Sequence, residues 1–80
     1  MDPKLRKLAY NAPKRIAKLE HLIEEAETEV DALDNEMMTV GTDVGRLMDL
    51  TKEKEKWQAK VAAYMDEWEQ LEELLAVVEA

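Results

Sequence analysis

From Ile16 onward the apolar residues return in alternating steps of three and four: Ile16, Leu19, Ile23, Ala26, Val30, Leu33, Met37 and Val40. A second series repeats the rhythm through Leu47, Leu50, Lys54, Trp57, Val61, Tyr64, Trp68, Leu71, Leu75 and Val78, with Lys54 as its one charged member. This spacing is the seam of a coiled coil, the a and d positions of a heptad lettered a to g. A strand would alternate every two residues, and a helix of an ordinary globular core would carry a wider apolar stripe. Two long helices with narrow seams are therefore expected.

Between the series lies VGTDVG, residues 40–45. Gly41 suits the left-handed position that ends a helix, and Thr42 or Asp43 suits the cap of the next. Pro13 suits a first helical turn, where its missing N–H costs nothing. The expected boundaries are a basic N-terminal segment over 1–12, a helix over about 13–39, a turn over about 40–43 and a second helix over about 43–77. So short a connection makes the helices antiparallel, with a hairpin spanning 13–80. The register pairs every a residue with a d residue: Ile16 with Leu71, Leu19 with Trp68, Ile23 with Tyr64, Leu33 with Lys54 and Met37 with Leu50. The predicted fold class is all-α, an antiparallel two-helix coiled-coil hairpin with a short N-terminal segment packed at the open end. Leu5 and Leu8 are expected to fold onto Leu75 and Val78.

Charge supports this alignment. Net charge is −8, yet residues 1–18 hold six cations against one acid, whereas residues 19–51 hold ten acids against one cation. An antiparallel hairpin sets Lys14, Arg15 and Lys18 beside Glu69, Glu72 and Glu73, and Lys52, Lys56 and Lys60 beside Glu27, Glu29, Asp31 and Asp34. A parallel dimer would stack the basic block on its own copy. Exposed pairs contribute only ~0.2–1 kcal/mol each, so the pattern selects orientation more than stability. A monomer is expected.

The lettered seam also accounts for the aromatics. Trp57, Tyr64 and Trp68 fall on seam positions opposite Val30, Ile23 and Leu19, so packing with the indole N–H at the edge is the expected role of Trp68. Lys54 is expected to lay its methylenes along Leu33, reach Asp34 or another edge acid, and pin the register.

Three stretches of the chain together resemble the C-terminal domain of the ABC-F family of tandem ATPases, the Uup-like proteins. Lys7-Leu8-Ala9-Tyr10 stands where the family has Lys-Leu-Ser-Tyr after a basic linker. Pro13-Lys14-Arg15-Ile16-Ala17-Lys18-Leu19-Glu20 matches its Pro-x-x-Ile-x-x-Leu-Glu helix start. Tyr64 and then Glu67-Trp68-Glu69-Gln70-Leu71-Glu72 match its aromatic followed by Arg-Trp-Glu-x-Leu-Glu. The likeness covers residues 4–75. Two departures stand out: the stretch between Tyr10 and Pro13 is shorter than in the family, and Glu67 replaces the arginine before the tryptophan. The resemblance implies a coiled-coil arm appended to ATPase cassettes, with contacts to DNA or to the ribosome and its RNA.

The candidate nucleic-acid-binding residues are Lys4, Arg6, Lys7, Lys14, Arg15 and Lys18, expected to gather at one end of the rod and to bind phosphates without reading bases. The alternative for this block is a solvated end, partly neutralised by the acids of the second helix. His21 occupies an outward position with Glu24 and Glu25 one turn on, and is expected to be a surface histidine with no metal. Glu24, Glu25, Glu27, Glu29 and Asp31 read as a solvated face. Met37, Met38, Val40, Val44 and Met48 either cap the hairpin tip or form a soft apolar patch for a protein partner.

With no Cys, no Ser and a single His, neither a disulfide framework, a thiolate zinc site nor a nucleophilic catalytic set is available. No catalytic residue, cofactor or metal is expected. No apolar run approaches the ~18 residues of a membrane span, so no membrane partner is expected either. The functional expectation is a non-catalytic C-terminal domain of an ABC-F type ATP-binding protein, cytoplasmic, touching DNA or ribosomal RNA through its basic end. The alternative is a protein–protein interaction coiled coil with no nucleic-acid role.

Overall fold

A computed structural model describes residues 3–79. Two helices, α1 (Pro3–Thr39) and α2 (Val44–Glu79), double back on each other to form a rod of 59 × 16 × 15 Å. The buried side chains are Ala12, Ile16, Leu19, Ala26 and Leu33 of α1 and Leu50 of α2, all of them at seam positions. The hairpin is the one the heptad repeat predicts, and Leu19 and Leu50 are its most completely enclosed large residues.

The turn follows from three local choices. Gly41 takes φ +61°, a conformation that costs an L-residue with a side chain but not glycine. The Asp43 amide then donates to the Val40 carbonyl at 3.3 Å, closing the turn. Of the two proposed caps, Asp43 is the one used: its Oδ1 accepts from the Arg46 amide at 3.0 Å, and its carbonyl accepts from the Leu47 amide at 3.0 Å. This satisfies an amide that the start of α2 would otherwise leave without a partner.

The N-terminal boundary differs from expectation. Of the segment predicted over 1–12, residues 3–12 are the first turns of α1, which starts at Pro3 and carries Pro13 inside it, while residues 1 and 2 lie outside the described residues. Proline in a helix interior removes one i→i−4 hydrogen bond, here the one to the Ala9 carbonyl, and crowds the preceding turn. Packing on both sides overrides that cost, because Ala12 is 1 % and Ile16 7 % exposed. The heptad in fact continues backward as Leu5, Ala9, Ala12 and Ile16. Ala12 therefore occupies the seam level of Leu75, and Leu5 and Leu8, expected to cover that end, remain 41 % and 56 % exposed.

Seam details bear out the register. Lys54, opposite Leu33, extends its ammonium to Asp34 Oδ1 at 2.6 Å while its side chain stays only 28 % exposed. Trp68 is half-buried opposite Leu19, and its indole N–H points to Glu20 Oε1 at a long 3.4 Å. Its role is that of a seam residue with a polar edge.

Candidate nucleic-acid interface

Because α1 is one helix from Pro3, its first four turns fix where each basic side chain points. Lys4, Lys7, Asn11, Lys14 and Lys18 follow steps of three, four, three and four, which keeps them on one outward strip away from the seam. All five are exposed. From Lys4 to Lys18 the strip runs about 21 Å at ~1.5 Å per residue, with Lys4, Lys7, Asn11 and Leu8 enclosing a shallow depression at its start. The expectation of a cluster at one end of the rod thus becomes a row along it.

Two of the six candidate residues leave that row. Arg6 lies on a different face of the helix, off that row. Arg15 turns toward α2 and grips Glu67 with both ends of its guanidinium, Nε to Oε2 at 2.6 Å and Nη2 to Oε1 at 2.9 Å. That hydrogen-bonded pairing raises the Arg15 pKa further and holds the Glu67 carboxyl below its usual range. The acids expected beside the basic block were Glu69, Glu72 and Glu73; the cross-helix partner is Glu67. Charge at this position therefore does structural work along the flank. A matching pair, Arg46 with Glu36, closes the same flank near the tip.

The other charged groups sort similarly. Lys60 places its ammonium over the Trp57 ring, 4.3 Å from the centroid, where the expectation had it beside the acids of α1. His21 Nε2 lies 2.9 Å from Glu25 Oε1, and both side chains are largely exposed. At the tip, Met38 is 80 %, Val44 66 % and Met48 56 % exposed, whereas Met37, Val40 and Leu47 are partly buried above the enclosed Leu50.

Ala9 and Ala12 were the seam positions that sequence reasoning passed over. The 4-3-4 spacing from Leu5 to Ile16 marks them, but Pro13 reads locally as a helix start and hides it.

Fold and surface define a helical-hairpin coiled-coil arm with one lysine-lined edge. The chain matches the ABC transporter C-terminal domain family over residues 7–73 and belongs to it, as the C-terminal domain of an ABC-F or Uup-like protein. It is an appended domain of an ABC protein and not the ATPase cassette itself. No curated protein and no solved structure matches the chain. No helix among the described residues is long and apolar enough to cross a membrane.

Proposed function

We propose that this domain contacts the phosphate backbone of a nucleic acid, DNA or structured RNA such as that of the ribosome, through the α1 strip of Lys4, Lys7, Lys14 and Lys18, with Arg6 and Arg15 at its margins. The observation that carries the reading is the row itself: four lysines spaced about 5–10 Å apart along one face of a helix, with Asn11 between Lys7 and Lys14, track a line of phosphates and read no bases. The Arg15–Glu67 pair tunes the site by withholding one guanidinium from it. The overall charge of −8 opposes a polyanion at long range, so the contact is short-range and arises where the strip meets the backbone. A cytoplasmic location goes with this reading.

The test is an NMR titration with short duplex DNA and with structured RNA at low and moderate salt. Amide shifts should be confined to residues 4–18. Log affinity should fall with log salt at a slope of about −3 to −4 if Lys4, Lys7, Lys14 and Lys18 each displace one counterion. Shifts at the tip, or no shifts with either nucleic acid, would overturn it. The exposed Met38, Val44 and Met48 favour a second reading, a protein partner at the tip. Under that reading Met38→Ser would impair partner capture, and nucleic acid would leave the spectrum unmoved.

A further inference from the structure

The two flanks of the rod are not alike. On the flank made by g positions, cations and acids face one another across the helices in the Arg15–Glu67 and Arg46–Glu36 pairs. On the opposite flank, made by e and b positions, every charged residue between Pro13 and Glu72 is an acid. They are Glu20, Glu24, Glu27, Asp31 and Asp34 on α1, and Glu55, Glu69 and Glu72 on α2. Lys54 reaches out of the seam to Asp34, and Lys52 borders Glu55 near the tip.

Between these acids the interhelical groove is apolar. One stretch is floored by Ile23, Trp68 and Met65 and rimmed by Glu20 and Glu69. The next, two turns along, is floored by Val30 and Val61 and rimmed by Glu27, Asp31 and Gln58. Met65, at an e position, is 43 % exposed. Groove and rims thus follow the rod axis for at least two turns, the length over which an amphipathic helix presents residues at i, i+3, i+4 and i+7.

We propose that this flank is a docking groove for a basic amphipathic helix of a protein partner, laid alongside as a third helix. Its apolar face would cover Ile23, Met65 and Trp68, then Val30 and Val61. Its lysines or arginines would meet the two acidic rims. Charge complementarity identifies the occupant: an acidic helix would be repelled along the whole length, and an uncharged one would bring no counter-charge to the acidic rims. The proposal is independent of the lysine strip, which lies on another face of α1.

The probe is a synthetic helical peptide with leucines at i, i+3, i+4 and i+7 and lysines elsewhere, titrated into the whole chain and followed by the Met65 methyl and Trp68 indole N–H signals. Both should shift on binding. Met65→Lys should weaken affinity about tenfold or more with helicity retained, and Met38→Lys at the tip should leave it unchanged. A peptide with alanine for leucine should bind far more weakly. Equal binding by that peptide would show simple attraction to an acidic chain and overturn the proposal, as would loss of binding in Met38→Lys instead of Met65→Lys.

Discussion

The two halves of α1 share one seam and carry opposite outer surfaces. Up to Lys18 every Lys, Arg, Asp or Glu of α1 is a cation, and from Glu20 onward every one is an acid, yet Ala12, Ile16, Leu19, Ala26 and Leu33 are buried alike on the inner side of both. The difference teaches that the a and d positions determine the hairpin while the outer positions determine what it meets.

The sharpest way to break that comparison is to strike the seam. Leu19→Ala, at a residue with no exposure, should cost about 2–5 kcal/mol in urea unfolding, whereas Leu8→Ala in the same helix should fall within about 0.5 kcal/mol of the parent. Equal losses would mean that the first turns pack as tightly as the middle. Next in size is Pro13→Ala, which restores an amide donor inside α1 and should stabilise the chain by up to ~3 kcal/mol. A loss of stability there would show that the proline bends α1 onto α2 usefully.

The glycines sharpen the comparison at the turn. Gly41→Ala meets no steric obstacle but must hold φ +61°, so it should destabilise by ~1–2 kcal/mol. Gly45→Ala, in the first turn of α2 with only Asp43 Oδ1 near its new methyl at 3.6 Å, should stabilise by about 0.5–1 kcal/mol. Thermal melts of both variants decide it, and same-sign shifts would contradict this view of the turn.

The smallest effect concerns the flank. Because Arg15 lowers the Glu67 pKa, their mutual stabilisation is present above the ordinary glutamate range and lost as pH falls through the lowered folded value. Carboxyl NMR titration should show Glu67 returning upward toward that ordinary range in Arg15→Ala. An unmoved Glu67 would mean that the ion pair is not populated in solution.

Much of this was legible in the sequence because a 3.5-residue period admits few folds. The seam partners, the Asp43 turn and the Lys54–Asp34 contact all follow from periodicity and register. The helix start was not legible, since the local preference of Pro13 for a first turn competes with burial of Ala12 and Ile16, and only packing decides between them. Flank pairing was legible in orientation but not in partner: rotamers of long side chains chose Glu67 for Arg15 and the Trp57 ring for Lys60.

The proposed function turns on where the lysines sit, beyond how many there are. Two double variants with the same change in net charge test this most directly by nucleic-acid titration at one salt concentration: Lys14→Glu with Lys18→Glu, and Lys52→Glu with Lys56→Glu. The first should abolish binding with helicity intact, and the second should leave affinity within a fewfold of the parent. Equal weakening in both would contradict the account, because it would make the contact a property of total charge and leave the α1 strip without a role.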